Sequence, residues 1–259
     1  MRYQLFEFED LPWFPDVIRS GGTDYLRYFL KWSELYKPCV DLLDTAMNET
    51  GERALIDLCS GGGGYVEDVL DGLKAVGRND VKITLTDKFP NIPAYEHLKE
   101  KSSGSIDFRA DSVDVFDFPD SLRGFRVMFS AIHHFKPEQV KLILKNTVNA
   151  GSPIAIFDGG EKGIVPVLGL LLFHPVAFLL FTPFMRPFRW SRMLFTYIIP
   201  LIPLYTIWDG VVSILRMYTP DELKMLAHEV AGDKYQWRSG KTTNRFGIKA
   251  SYLIGYPKK

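Results

Sequence analysis

The sequence predicts a single α/β domain built on a mostly parallel sheet, preceded by a helical cap and interrupted by an apolar insertion. Three observations carry this. Short β-type runs alternate with helical segments between Arg53 and Asp158. A glycine turn, Gly61-Gly62-Gly63-Gly64, follows the first of those runs. Between Lys162 and Trp208 there is no Asp or Glu. Strands separated by helices imply parallel pairing with right-handed crossovers.

A length of 259 residues suits one domain with an insertion better than two domains. The expected division is a helical cap over residues 1–50 and a sheet domain over 51–259, with the insertion at 160–215. The 31 basic and 31 acidic residues cancel, which argues against a nucleic-acid partner. Cys39 and Cys59 lack metal-ligand spacing; no metal is expected, and both read as reduced thiols of a cytoplasmic protein. Residues 1–10 have no basic stretch followed by an apolar run, so no signal peptide is expected.

In the cap, Pro12 and Pro15 forbid a regular helix at the start. Thr23 is expected to cap a helix carrying Tyr25, Leu26, Phe29 and Leu30 at helical spacing. A second helix is expected from Pro38 to Met47, closed by Gly51. Ala54–Leu58 then reads as a buried strand and Tyr65–Ala75 as a helix. Val81–Thr86 alternates as a strand and ends at Asp87; Pro93–Lys101 is helical. Strands at Ser105–Ala110, Arg126–Ser130 and Pro153–Phe157 end near Asp111, His133-His134 and Asp158, with a helix at Pro137–Val148. Thr219-Pro220-Asp221-Glu222 is a capping box opening a helix to Val230. Tyr235–Arg238 and Ala250–Gly255 read as closing strands.

The turn Asp57-x-x-x-Gly61-x-Gly63 leaves a parallel strand and admits a ligand against bare backbone. Ligands of such sheets sit at the carboxyl ends of the strands. Asp87, ending the next strand, is placed to accept hydrogen bonds from ribose hydroxyls. Dinucleotide-binding proteins share this logic, and a NAD(P)-dependent oxidoreductase is the competing enzyme reading. Its fingerprint wants a third Gly or Ala three residues past Gly63; Val66 stands there.

On these residues the chain resembles the class I S-adenosylmethionine-dependent methyltransferases. Ala54–Gly64 looks like their first motif, Asp87 matches their ribose-binding acid and Asp111 their adenine-side acid. Phe129–Phe135 resembles the motif after their fourth strand. The resemblance covers residues 53–158 and 219–256. It implies a Rossmann-like seven-stranded sheet of order 3-2-1-4-5-7-6, with the last strand antiparallel and helices on both faces. It also implies S-adenosyl-L-methionine as cofactor, held by Asp57, Ser60, Gly61, Gly63, Asp87, Lys88, Asp111, Ser112 and Ala131. Cys59 departs from the family, which often has Gly there.

Methyl transfer from a sulfonium is an in-line displacement in which positioning does most of the work. A base is needed only for a hydroxyl or protonated amine acceptor. His133 and His134 are the catalytic candidates, followed by Asp158; a buried structural histidine is the competing reading of either. His97, His174 and His228 carry no functional reading.

Ile164–Met185 has no formal charge, and a helix of that length would reach about 33 Å, enough to cross hydrocarbon. Pro166, Pro175 and Pro183 are expected to interrupt it. The basic, aromatic segment Arg186–Arg192 follows, then uncharged residues to Trp208. Two readings remain open: peripheral or monotopic membrane contact through 164–208 on the cytoplasmic face, with arginines at lipid phosphate and Trp190 at the interface, or a soluble lid over the acceptor. In either case the expected acceptor is small and hydrophobic or lipid-like, in a pocket lined by Tyr25, Phe29, Phe195 and Tyr197. Asp209, Arg216 and Tyr218 either orient the acceptor or, for the first two, form an ion pair. A non-catalytic interaction module at a membrane is the third functional reading.

Overall fold

The computed structural model describes residues 2–119 and 121–258; Met1, Asp120 and Lys259 lie outside them. Strands β1 (Ala54–Leu58), β2 (Lys82–Thr86), β3 (Ile106–Phe108), β4 (Phe125–Phe129), β5 (Ile154–Gly159), β6 (Tyr235–Thr243) and β7 (Lys249–Pro257) form one seven-stranded sheet. Its order is β3-β2-β1-β4-β5-β7-β6, as the resemblance implies. The pairs from β3 to β5 are parallel, in registers such as Ile56 with Thr84 and Val127 with Ala155. β7 runs antiparallel to both β5 and β6. β3 is shorter than expected, and β6 and β7 extend beyond their expected ends.

Alternation along the strands divides the core. Leu55, Val127 and Ala155 face helices α2 (Val40–Thr50), α3 (Val66–Ala75) and α4 (Ile92–Lys101). Ile56, Met128 and Ile156 face α5 (Pro137–Asn149) and α9 (Pro220–Ala231). The Thr219–Glu222 capping box forms as expected.

Helix α1 (Asp16–Ser33) departs from the expectation. It starts directly after Pro15, and Thr23 lies within it, its hydroxyl donating to Ser20 O at 3.2 Å. Gly21-Gly22 does not break the helix, because those glycines are where α8 (Leu201–Arg216) crosses it. A Cβ on Gly21 would come within 2.4 Å of Ile202, and one on Gly22 within 1.6 Å of the Tyr205 hydroxyl. α1 also packs on α6 (Ile164–Phe181), where Tyr25 stacks on Phe178 at 4.3 Å.

Pro166 and Pro175 do not interrupt α6, whereas the α-helix ends at Phe181, two residues before Pro183, and gives way to a 3-10 turn. Pro166 falls in its first turn, where no intrahelical donor is needed. Pro175 is inside the helix and is held by contacts on either side. Gly210 of α8 seats Leu170, and the His174 ring shares a hydrogen bond with the Thr206 hydroxyl at 2.9 Å. α6 and α8 therefore form a hairpin across α1. Between them a short helix α7 (Trp190–Met193) runs into a π-turn, and the run from Trp190 to Ile198 meets α8 at 79°.

The outer face of this hairpin is bare. The stretch Ile164–Phe184 is long and apolar enough to cross a membrane, yet only 6% of its apolar window is buried. Leu168, Leu172, Phe173, Val176 and Leu180 are exposed, as are Ile198, Leu201 and Leu204 beyond the turn. The arginines largely leave this surface. Arg192 is buried against Asp24, and Arg189 bonds Asn91 at 2.9 Å. Arg186 alone of the three is exposed, with no ion pair among the described residues.

These contacts separate two glycines of the same helical type. Gly22→Ala gains about 1 kcal/mol of helix propensity but overpacks Tyr205 at a cost of about 1–3 kcal/mol. Gly169, in α6, has nothing within 4 Å of an added Cβ, so Gly169→Ala keeps the propensity gain. Thermal unfolding is expected to show a lowered Tm for the first variant and an unchanged or raised one for the second.

Candidate active site

The glycine turn is stitched to the end of β2. Ser60 N donates to Thr86 O at 2.9 Å, and Thr86 N to Ser60 Oγ at 3.1 Å. Gly61 N donates to Asp87 Oδ2 at 2.8 Å, while Phe89 N donates to Asp87 Oδ1 at 2.7 Å. Gly61 and Gly63 take left-handed φ values of 54° and 66°. Gly62 and Gly64 serve a different purpose, the approach of α1. A Cβ on Gly62 would meet Thr23 O at 2.6 Å, and one on Gly64 would meet Arg27 Cα at 2.4 Å.

Above this turn, at the carboxyl ends of the parallel strands, lies a cavity of about 350 Å³, within the usual range of ligand pockets. Ser60, Gly61, Asp87, Lys88, Ala131 and His134 line it, as expected from the sequence. Nothing stands within 4 Å of where a Gly61 Cβ would be, so the backbone there is open to a ligand. Cys59 (φ 60°) and Ser130 (φ 49°) also line the cavity. Both hold left-handed backbone without being glycine, at a cost of about 1–3 kcal/mol each.

Several expected site residues stand elsewhere. Asp57 is buried behind the turn and accepts a hydrogen bond from the Tyr65 hydroxyl; burial pushes its carboxyl up to about 7. It shapes the turn and does not line the cavity. Gly63 faces Leu98, not the cavity. Asp111 is exposed and pairs with Arg109 at 3.4 Å, and Ser112 donates to Lys88 O at 2.8 Å. The reason is the short β3: the chain leaves the sheet at Phe108, and a Val113 N to Asp87 O bond of 2.9 Å turns it inward afterwards. Asp114 thus lines the cavity where Asp111 was expected, paired with Lys88 at 3.0 Å. His133 and Asp158 form a buried pair, Nδ1 to Oδ1 at 2.7 Å, behind the cavity wall. Among the described residues nothing from 164–208 lines the cavity, and Tyr25, Phe29, Phe195 and Tyr197 do not either.

The N-terminal arm supplies what the sequence left unassigned. Phe8 N and Glu9 N donate to Asp209 at 2.8 and 3.1 Å. Arg216 pairs with Glu7 at 3.1 Å and Asp10 at 3.0 Å, so Asp209 and Arg216 bind the arm rather than each other. Tyr218 donates to Phe135 O at 2.8 Å. The arm thereby sets Glu9 and Asp10 into the cavity wall beside His134. His134 Nδ1 lies 2.9 Å from Asp10 and 3.1 Å from Glu7, and Nε2 lies 3.4 Å from Glu9. Burial opposes a charged ring here, but Glu7, Asp10 and Glu9 outweigh it and raise His134 well above its ordinary value. Burial pushes Glu9 up to about 8, against the pull of His134. For Asp10, burial is overcome by His134 and Arg216, which hold its carboxyl down to about 2. Glu9 and Asp10 carried no readable signal, because Asp10 and His134 are 124 residues apart.

A raised histidine contributes stability that is fully present below its unfolded value near 6.5 and is lost as pH rises through the folded one. The Tm gap between wild type and His134→Gln is therefore expected to be widest near about pH 6 and to close at alkaline pH. A gap constant across that range would mean that packing alone ties down the arm.

No protein-family model and no curated protein matches the sequence. Solved structures do match. The apo S-adenosylmethionine-dependent methyltransferase SibL is 13% identical, with a TM-score of 0.51 over 88% of this chain and 56% of its own. An O-methyltransferase family protein from Burkholderia thailandensis is 13% identical, with a TM-score of 0.49 over 86% of this chain and 56% of its own. Human N-acetylserotonin methyltransferase in complex with SAM is 14% identical, with a TM-score of 0.46 over 83% of this chain and 50% of its own. The chain thus spans about half the length of these proteins. At such identity the likeness to SibL is one of fold, and the chain has the fold of an S-adenosylmethionine-dependent methyltransferase.

Proposed function

We propose that the chain is an S-adenosylmethionine-dependent methyltransferase acting on a small hydrophobic or lipid-like acceptor at a membrane surface. The observation that carries the first half is the Gly61–Asp87 bond inside the cavity. It sets an acid beside an open glycine backbone at the strand ends, which suits a nucleoside. Each Asp87 oxygen accepts one backbone donor and retains a lone pair for a ribose hydroxyl. Ser60, Gly61, Asp87, Lys88, Asp114 and Ala131 would hold the cofactor, which supplies a methyl group already activated on a sulfonium.

On the acceptor side, Glu9 is the group best suited to take a proton. It lines the cavity and its carboxyl sits near 8, close to the pH at which a general base works well. His134 is better suited to orient Glu9 and to offset its charge than to act as base, since three carboxylates favour the imidazolium. The His133–Asp158 pair braces the wall behind it.

The membrane half rests on the hairpin. A contiguous apolar surface of this extent marks an interaction site on a soluble protein. Among the described residues the hairpin contributes nothing to the cavity wall, which removes the main support for a lid. Trp13, Trp32, Trp190 and Trp208 are all exposed around the hairpin and its supporting helix; tryptophan favours the membrane–water boundary. Exposed Arg186 stands next to this surface, suited to lipid phosphate. A monotopic attachment on the cytoplasmic face fits the free thiols Cys39 and Cys59. The 79° bend before α8 favours an element lying in the interface over a second straight span.

Calorimetric titration is expected to show binding of S-adenosylmethionine and none of NAD, with Asp87→Ala weakening the former about 10–100-fold. NAD binding in its place would overturn the cofactor reading. With a lipid extract as acceptor, S-adenosylhomocysteine is expected to accumulate; a binder that never turns over would be a non-catalytic module.

For the hairpin, co-sedimentation with phosphatidylcholine–phosphatidylglycerol vesicles is expected to capture the wild type. The double variant Leu172→Glu, Phe173→Glu is expected to lose at least about tenfold in vesicle binding with little change in Tm. Recovery of the wild type wholly as a dimer that ignores vesicles would show that a second copy covers this face.

A further inference from the structure

The N-terminal arm meets the loop after β4 at three side chains whose donor atoms converge. Glu7, His133 and His134 each place one ligand atom within 4.8 Å of the other two. Glu7 and His133 are buried, and the His134 side chain is 15% exposed. Glu7 Oε1 is taken by Arg216 at 3.1 Å and by the Ser213 hydroxyl at 3.3 Å. Glu7 Oε2 has no hydrogen-bond partner among the described residues and lies 3.1 Å from His134 Nδ1. A buried carboxylate oxygen without a donor is costly, and a cation relieves that cost.

Both imidazoles already have a carboxylate on one ring nitrogen. Asp158 Oδ1 lies 2.7 Å from His133 Nδ1, and Glu9 Oε1 lies 3.4 Å from His134 Nε2. The nitrogens left for a ligand are His133 Nε2 and His134 Nδ1. Histidines that ligate metals commonly carry such a carboxylate on the second nitrogen, which fixes the tautomer and raises the basicity of the first. Asp10 Oδ1, 2.9 Å from His134 Nδ1, stands ready as a further oxygen. Glu7, Glu9, Asp10 and Asp158 outnumber the guanidinium groups of Arg2 and Arg216 around these rings, so the local charge also favours a cation.

We propose that Glu7 Oε2, His133 Nε2 and His134 Nδ1, with Asp10 beside them, form a site for one divalent cation of the zinc type that pins the N-terminal arm to the end of β4. Two imidazoles and a carboxylate suit Zn²⁺; Mg²⁺ and Ca²⁺ prefer all-oxygen sets. The cation takes the place of the proton that Glu7 and Asp10 otherwise hold on His134, so metal and imidazolium are alternative counter-charges for the same carboxylates. Glu7 and His133 do not line the cavity, and the role of the site is structural. It fastens the arm that sets Glu9 and Asp10 into the cavity wall, whichever cofactor the cavity takes.

The test is calorimetry with Zn²⁺ on the full chain, after treatment with a chelator and its removal, with Mg²⁺ for comparison. Wild type is expected to bind one Zn²⁺ with a Kd of about 1 μM or tighter and to bind Mg²⁺ at least about 100-fold more weakly. Glu7→Gln and His134→Gln are each expected to weaken Zn²⁺ at least about 100-fold, and Asp158→Asn about 10–100-fold. His228→Gln, exposed on α9, should leave it unchanged. Hydrogen exchange at the Phe8 and Glu9 amides, which bond Asp209, is expected to slow about tenfold or more with Zn²⁺ in wild type and not in His134→Gln. Metal-free Tm reports whether each variant folds, and His134→Gln and Asp158→Asn decide the outcome if Glu7→Gln does not. Absence of Zn²⁺ binding, equal binding by wild type and the ligand variants, equal affinity for Mg²⁺, or binding that leaves the arm amides unprotected would each overturn the site.

Discussion

Everything distinctive about this chain depends on how closely α1 approaches two other backbones. On one face it meets the glycine turn, with Thr23 O and Arg27 Cα where side chains on Gly62 and Gly64 would otherwise stand. Near its start, Gly21 and Gly22 let Ile202 and Tyr205 of α8 press onto it. One helix thereby touches both the cavity and the apolar hairpin. Bulk at any of these glycines would move the helix, and with it Arg27, Thr23 and the arm that precedes it.

The electrostatics follow the same geometry. α6 carries no charged residue, and apart from exposed Arg186 the ionised groups flanking the hairpin pair inward. Asp209 in the middle of α8 and Arg216 at its end hold the N-terminal arm, which holds His134 in turn. Arg192 and Arg189, in the connection between α6 and α8, pair with Asp24 on α1. The ion pairs thus face inward and the apolar side chains of α6 outward. The same network acts at the cavity: the carboxylates around the His134 imidazole favour its charged form, and burial raises the Glu9 carboxyl.

Legibility in the sequence tracked how local each determinant was. Strands with strict alternation, the glycine turn and the Thr219–Glu222 cap were readable because neighbours within a few residues decide them. Asp87 was readable for the same reason, as the residue ending an obvious strand. That Asp114 and not Asp111 lines the cavity is set by the length of β3 and by the inward turn at Val113, which depends on Asp87's backbone and not on the local pattern. Gly21-Gly22 and Pro175 look like breakers in isolation. They are helical here because α8 packs against both regions and contacts outweigh propensity. The histidine pair was found, but the division of labour was not: which ring faces the cavity is set by Asp158 on one side and the arm on the other.

By itself, the sequence determined the sheet, its order by resemblance, the glycine turn after the first strand and the uncharged character of residues 164–185, because periodicity, glycine spacing and composition act locally. Only the tertiary structure decided what those features face. It turned the hairpin's apolar surface outward instead of over the cavity, and put Asp114 in Asp111's place. It also brought Glu9, Asp10 and Arg27 to the site from the first helix and the arm before it. These outcomes depend on long-range packing and on which charges meet across more than a hundred residues, and no local pattern encodes them.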